Sequence, residues 1–306
     1  MQTTLKSAVT FKGVGLHSGA AVSMTVRPAA AEHGIWFRRT DLAANIGFVA
    51  ARWDAVVPSR LCTQVANRHG TMVSTIEHVM AALAGCGIHN ALIEIDGPEV
   101  PILDGSAAIF VAAFVRRGFR ALSAPVRAFR VLKSIEVRDG EAWARLDPSD
   151  MLEIAFEIDF ADRAIGRQSK ALNMSNGAFV RELCNSRTFC RQQDVDQMRQ
   201  SGLALGGTLE NAVVVDGDRV LSPGGFRYPD EAVRHKMLDA LGDLALAGAP
   251  ILGRYSGHRA GHAMTNQLLK ALFAAPDAFR LVDVAETTGG KLPGVGVTQA
   301  DIAAFA

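Results

Sequence analysis

The pattern of apolar and polar positions predicts strands and helices in the first half of the chain. AAVSMTVRP, residues 20–28, alternates weakly and ends in proline, as a strand does before a turn. STIEHVMAALAG, residues 74–85, repeats its apolar residues at helical spacing. ALIEID, residues 91–96, is typical of a strand, and SAAIFVAAFVRRG, residues 106–118, of a helix. A proline breaks the pattern in LSAPVRAF, residues 122–129, where we place a domain boundary.

The second half repeats this order of elements. RVLKSIEVRDG with AWARLDP, and later NAVVVDGDRVL, predict hairpins, and MLEIAFEIDF predicts a strand. NGAFVREL predicts a helix, DEAVRHKMLDALGDLALAG a long helix, and the segment from residue 251 a strand, a loop and a last helix. The fold class is therefore α+β, with two similar domains, residues 1–124 and 125–306, each a β-sheet with helices packed on one face. Facing helical layers would leave a cleft suited to a functional site.

Composition and charge narrow the class of protein. The chain has 306 residues, 49% hydrophobic and 21% charged, which is typical of a soluble globular protein with a sizeable core. Lys and Arg number 32 against 31 Asp and Glu, so no electrostatic feature favours a nucleic-acid partner. The first residues lack the apolar core of a signal peptide, and the longest apolar run, residues 107–115, is too short to cross a bilayer. We therefore expect a cytoplasmic protein without stable membrane insertion.

The cysteine pattern limits the kinds of metal site. The four cysteines contain no CxxC pair: Cys62, Cys86, Cys184 and Cys190. A chain of this length needs no disulfide framework, so we expect reduced and mostly buried thiols. A metal site would then depend chiefly on histidine and carboxylate side chains.

Two of the predicted helices together contain the residues of a catalytic zinc site. Glu77 and His78 are adjacent in the first, and His235 and Asp239 are four residues apart on one face of the second, which Asp243 extends. Alone, an i,i+4 histidine and aspartate pair is more often a surface contact than a metal site. Together the helices supply two imidazoles, one ligating carboxylate and one free carboxylate, which is the set that a catalytic zinc with an open fourth position requires. The assignment depends on the two helices meeting.

Other interpretations of the same motifs remain open. His258 and His262 are also four residues apart, but their glycine-containing flanks disfavour a helix. GVGLHSG, residues 13–19, lacks the GxGxxG spacing, so we interpret it as a hairpin connection rather than a phosphate loop or a binding role for His17. A non-catalytic sensor with a structural zinc would not need the free carboxylate of Glu77. A zinc peptidase is disfavoured because the HExxH order is absent.

Several stretches also carry a resemblance to a known family. They are STIEHVMAALAG, DGPEVPILDGSA, SRTF at 186–189, LALGGTLENAVV, VRHKMLDALGDLALAG and SGHRAGHAMTN. They resemble the signature motifs of the UDP-3-O-acyl-N-acetylglucosamine deacetylases, the zinc amidases of lipid A biosynthesis in Gram-negative bacteria. The resemblance covers nearly the whole chain. It implies two α+β domains with the active site between their helical layers, and zinc-dependent hydrolysis of the N-acetyl group of the UDP-sugar with release of acetate.

The resemblance implies a role for each residue of the catalytic centre. The zinc ligands would be His78, His235 and Asp239. Glu77 falls on the position of the general base, and Thr188 on the hydroxyl that helps to hold the oxyanion. His262 falls on the histidine that assists as a cation or acid, and Asp243 on the residue that orients it. Either Glu77 or His262 could protonate the leaving amine.

The resemblance also implies a small-molecule substrate and the residues that contact it. These are Lys236 for the diphosphate, Phe160 for the uracil, and in addition Phe189 and Leu61. The chain departs from the family's pattern at His89, where an aspartate is expected, and at Cys190 and Arg191, where a small and then an apolar residue are expected. The second departure changes the shape of the acyl passage, and with it the preferred acyl length. We expect the protein to act as a monomer.

Overall fold

A computed structural model describes residues 1–59, 61–284, 291–303 and 305 of the chain. The strands of the first half are β1 (Thr3–Leu5), β2 (Val9–Val14), β3 (Ala21–Pro28), β4 (Ile35–Arg39), β5 (Phe48–Ala50), β6 (Val56–Val57), β7 (Gln64–Ala66), β8 (Met72–Ser74), β9 (Ala91–Ile95) and β10 (Phe119–Ala121). Its helices are α1 (Glu77–Gly85) and α2 (Ala108–Arg117).

The elements of the second half follow in the same way. Its strands are β11 (Arg127–Val131), β12 (Ile135–Asp139), β13 (Ala142–Pro148), β14 (Leu152–Asp159), β15 (Arg167–Asn173), β16 (Phe189–Arg191), β17 (Val213–Asp216), β18 (Arg219–Val220), β19 (Ile251–His258) and β20 (Phe279–Asp283). Its helices are α3 (Gln192–Gln200), α4 (Glu231–Ala245) and α5 (His262–Ala274), with a π-helical turn at Phe179–Leu183 and 3-10 turns at Trp53–Ala55 and Gln299–Ile302.

Two large sheets support the helices. The first has the strand order β2-β3-β9-β4-β5, and Phe11 on β2 packs against Phe110 and Phe114 of α2 with ring centroids 4.8 and 6.0 Å apart. In the second, seven-stranded sheet, β19 is central and pairs with β11, β13 and β14. β19 leads directly into α5, so the sheet fixes where the first residue of α5, His262, is placed.

Helices α1 and α4 pack against each other in the hydrophobic core. The apolar side of α4 is formed by residues such as Val233, Met237 and Leu241, whose side chains are buried. A Cβ atom built on Gly242 of α4 would lie 2.1 Å from the carbonyl oxygen of Glu77 on α1, so the helices approach closely only because this position is glycine. The first turn of α1 therefore lies beside the middle of α4.

The α+β class is confirmed, and the predicted strands, hairpins and long helices are present. The division of the chain at residues 124 and 125 stays a prediction. All four cysteines are free, and three of them are buried, as expected. None of the helices in the described part of the chain combines the length and apolar character that crossing a membrane takes.

Two local predictions differ from the structure. NGAFVREL forms only a short π-helical turn because Asn176 and Gly177, with φ of 53° and 71°, leave the helical region directly before it. Helix α1 begins at Glu77 rather than at residue 74, since Thr75 has a φ of 56°. The expectation that His258 and His262 share no helical face is confirmed, because His258 ends β19 and His262 begins α5 after the extended N-cap residue Gly261.

Candidate active site

The contact between α1 and α4 brings the three predicted metal ligands together. Suitable ligand atoms of His78, His235 and Asp239 all lie within 4.8 Å of one another. Oδ1 of Asp239 is 3.2 Å from Nε2 of His235 and 3.8 Å from Nε2 of His78. Each residue is at most 4% exposed. The i,i+4 pair on α4 thus faces the first turn of α1, and the three side chains enclose one small space.

The hydrogen bonds of this group suit a cation. Nδ1 of His235 donates to the carbonyl oxygen of Ser186 at 3.0 Å, which leaves Nε2 as the ring nitrogen that faces Asp239. Oδ1 of Asp239 is buried and has no hydrogen-bond partner among the residues that the structure describes. Lone pairs that face each other without an intervening proton repel, whereas a metal ion between them satisfies all of them.

The charges of the group also match a metal centre. Burial, reinforced by the neighbouring His235, lowers the pKa of His78 to about 3, so this imidazole is neutral. Burial alone would raise the pKa of Asp239, but His235, Lys236 and His262 outweigh it and hold that pKa well below its usual range. Two imidazoles and one carboxylate are a donor set that suits a divalent ion such as zinc.

Glu77 lies beside this group without belonging to it. Its Oε2 accepts a hydrogen bond from the backbone N–H of Thr63 at 3.0 Å, and its Oε1 is 3.7 Å from Nε2 of His262. Burial raises the pKa of Glu77 to about 7, against the opposing influence of His262. A carboxylate with this pKa is suited to take up and release a proton near neutral pH.

His262 and Asp243 form a second ionisable pair at the site. Nδ1 of His262 lies 2.8 Å from Oδ2 of Asp243, whose other oxygen accepts from the hydroxyl of Thr63. Burial alone would lower the pKa of His262, but the carboxylates of Asp243, Glu77 and Asp239 raise it to about 9. His262 is therefore a cation at neutral pH and points its Nε2 toward Glu77.

A cavity of about 910 Å³ opens from this centre and contains the remaining predicted site residues. Its lining includes Leu61, Phe160, Thr188, Phe189, Lys236, Asp239 and His262. The rings of Phe160 and Phe189 meet edge to face with centroids 5.4 Å apart. Lys236 donates from Nζ to Oδ2 of Asp239 at 2.8 Å. The backbone N–H of Thr188 is fixed by the carbonyl of Gly105 at 2.8 Å, so this residue is held by the loop before α2.

Two further histidines differ in their position relative to the cavity. GVGLHSG forms the predicted hairpin connection between β2 and β3, yet His17 lines the cavity, and its ring nitrogens are buried without a hydrogen-bond partner in the described residues. Glu99 fixes this loop by accepting from the backbone of His17 and Ser18, both at 2.8 Å, a long-range contact that no local motif reveals. His258 stacks on Trp143 at the end of β19 and lies outside the cavity lining.

The chain is similar to known proteins over most of its length. The family model described as LpxC, UDP-3-O-acyl N-acetylglycosamine deacetylase, matches residues 2–274. The UDP-3-O-acyl-N-acetylglucosamine deacetylase of Phenylobacterium zucineum (strain HLK1) is 50% identical over 285 residues, which cover 93% of this chain and 97% of that protein. Proteins of the same name from Shewanella sp. (strain W3-18-1) and Shewanella loihica are 45% and 46% identical over 283 residues, 92% of each chain. With a match of this extent and identity, the chain belongs to the UDP-3-O-acyl-N-acetylglucosamine deacetylase family.

Proposed function

We propose that this chain hydrolyses the N-acetyl group of UDP-3-O-acyl-N-acetylglucosamine, with zinc held by His78, His235 and Asp239. The products are acetate and the free amine, and the reaction is a step of lipid A biosynthesis. The convergence of three ligand atoms within 4.8 Å, next to a free carboxylate, is the observation that carries the proposal. A structural zinc usually has four protein ligands, whereas this group has three, which favours catalysis.

Zinc at this site would supply a Lewis acid that acidifies the attacking water and polarises the acetyl carbonyl. The chain's own contribution begins with Glu77, whose carboxylate accepts the proton of that water. The backbone N–H of Thr63 fixes one oxygen of Glu77, and the other remains available for the water. A base positioned in this way typically contributes about 10²- to 10⁴-fold to the rate.

Two residues are suited to stabilise the negative charge that develops on the carbonyl oxygen. Thr188 lines the cavity and offers a hydroxyl donor on a backbone held by Gly105. His262 is a cation at neutral pH because its pKa is raised to about 9. Loss of one such donor typically costs about 10²- to 10³-fold in kcat.

The leaving amine must receive a proton, and two groups can donate it. His262 is protonated before the reaction and is kept so by Asp243 at 2.8 Å. Glu77 becomes protonated when it accepts the proton of the water. Since Nε2 of His262 lies 3.7 Å from Oε1 of Glu77, both donors address the same side of the site. We favour His262, because its charge both stabilises the oxyanion and supplies the proton.

The cavity accounts for the recognition of a large substrate. Its volume of about 910 Å³ is within the range of small-molecule sites, roughly 300–1,000 Å³. The edge-to-face rings of Phe160 and Phe189 form an apolar wall for the uracil, and Lys236 is a cation for the diphosphate. Leu61 and other apolar side chains of the lining suit the acyl chain. Cys190 and Arg191 lie in the same lining, so their identity affects which acyl length fits.

One chain supplies every residue named above, so we further propose that the protein acts as a monomer. We also propose that it acts in the cytoplasm, where nucleotide sugars are made. Sedimentation at working concentration tests the oligomeric state.

Metal analysis of the purified protein, coupled to acetate release from UDP-3-O-acyl-N-acetylglucosamine, tests the function. The wild type is expected to contain zinc and release acetate, whereas His235→Ala is expected to lose both. Acetate release that persists in the zinc-free variant would contradict the proposal.

A further inference from the structure

A buried ion pair lies directly behind the candidate metal ligands. Arg187 is 5% exposed and Glu231 is 0% exposed. Oε1 of Glu231 accepts from Nε of Arg187 at 3.0 Å, and Oε2 accepts from Nη2 of Arg187 at 3.2 Å and from the backbone N–H of Arg227 at 2.6 Å. Other side chains form the cavity wall, so the pair does not act by touching the substrate.

One peptide group links this ion pair to His235. The N–H of the peptide between Ser186 and Arg187 donates to Oε1 of Glu231 at 2.9 Å, and the C=O of the same peptide accepts from Nδ1 of His235 at 3.0 Å. In a trans peptide these two groups point in opposite directions. Glu231 and His235 are four residues apart on α4, so they lie one above the other on a single face. The planar peptide group therefore spans one turn of α4, with its N–H bonded to Glu231 and its C=O bonded to His235.

We propose that Glu231 is a positioning residue for the metal site. By fixing the N–H of the Ser186–Arg187 peptide, it aims the carbonyl at Nδ1 of His235, which keeps Nε2 of that ring free for the metal. Arg187 neutralises the buried carboxylate. This inference rests on the proposed function, because it requires a metal at His235.

Two considerations give the pair this role rather than a purely structural one. Replacing a buried ion pair by apolar residues of similar size is often neutral for stability, so stability alone gives weak reason for the pair. In contrast, groups that orient a ligating histidine through its second nitrogen typically affect metal affinity by about 10- to 100-fold. The same segment continues into Thr188, which directly precedes β16, so the peptide also helps to place the residue that carries the proposed oxyanion hydroxyl.

Two double variants separate the peptide acceptor from the ion pair. Arg187→Met with Glu231→Gln removes both charges but keeps an amide oxygen that can accept from the peptide N–H. Arg187→Met with Glu231→Leu removes the charges and the acceptor. Zinc affinity is measured by competition with a chromophoric chelator, the ligand geometry by the absorption spectrum of the cobalt-loaded protein, and folding by urea denaturation of the metal-free protein.

The glutamine variant is expected to bind zinc within about threefold of the wild type, and the leucine variant about 10- to 100-fold more weakly with an altered cobalt spectrum. Equal zinc affinity in both variants, whether retained or lost, would overturn the inference. If the leucine variant does not fold, Glu231→Asp makes the same test, because it keeps the charge but withdraws the acceptor by one methylene; wild-type affinity there would likewise overturn it. A wild type that binds no zinc would instead refute the proposed function.

Discussion

Replacing Gly242 by alanine tests whether α1 and α4 must touch for the site to form. The added Cβ would lie 2.1 Å from the carbonyl oxygen of Glu77, 2.9 Å from its carbonyl carbon and 3.2 Å from the backbone nitrogen of Ala81. Ordinary contacts begin at about 3.5 Å, so the helices must separate by roughly 1 Å. The obstacle is backbone in the first turn of α1, which cannot rotate away as a side chain would.

The magnitude follows from two opposing effects. Overpacking of this kind costs about 1–3 kcal/mol, while the better helix propensity of alanine recovers up to about 1 kcal/mol. The free energy of unfolding should therefore fall by up to about 3 kcal/mol. The functional effect is larger, because the same shift moves His78 away from His235 and Asp239. A displacement of about 1 Å at a reacting centre can cost about 10²-fold in rate.

The assay compares urea unfolding, zinc affinity and kcat/KM for acetate release in the wild type and Gly242→Ala. Gly85→Ala is the matched control: its Cβ would lie 2.0 Å from the ring of Phe179, but Gly85 is at the far end of α1 from His78. The control is expected to lose stability and keep its zinc affinity. Normal zinc affinity and normal kcat/KM in Gly242→Ala would refute the reasoning.

Further predictions concern the catalytic groups. Glu77→Gln is expected to keep its zinc and lower kcat for acetate release by about 10²- to 10⁴-fold; an unchanged kcat would remove Glu77 from the mechanism. The pH profile of kcat/KM is expected to be bell-shaped. Its acid limb reflects protonation of Glu77, whose pKa is about 7, and its alkaline limb reflects loss of the proton of His262, whose pKa is about 9. In the metal-loaded enzyme the positive charge of the ion lowers both pKa values, so both limbs lie below these figures. Asp243→Asn should move the alkaline limb further down, since it removes a carboxylate that raises the pKa of His262, and an unmoved limb would contradict the pairing. Chelation of the metal is expected to abolish acetate release and lower the Tm, with zinc restoring both; a Tm indifferent to zinc would argue against a bound ion.

The site could be anticipated from sequence where its residues share a regular element. His235 and Asp239 are one helical turn apart, so helical periodicity groups them. Glu77 and His78 are adjacent in the sequence. The two pairs meet only because α1 and α4 pack closely. This close packing depends on the contact between Gly242 and the backbone of Glu77, two residues that are far apart in the sequence. Without the structure, only the family resemblance indicates that the two helices meet.

The parts that could not be predicted depend on long-range contacts. His17 lies in a loop whose conformation is fixed by Glu99, which is more than eighty residues away. The orientation of His235 depends on a peptide held by Glu231, although Glu231 taken alone would be interpreted as an ordinary acidic residue in the first turn of a helix. In each case the deciding partner is distant in sequence or has a common local role.

Titration of the metal-free protein with zinc, followed by acetate release from UDP-3-O-acyl-N-acetylglucosamine, addresses most directly whether one shared ion creates the active site. In the wild type, activity should rise in proportion to added zinc and stop rising at one zinc per chain. In His78→Ala, which removes the ligand contributed by α1, no activity should appear at the same zinc concentrations. Full activity without metal, or undiminished activity in His78→Ala, would contradict the shared site.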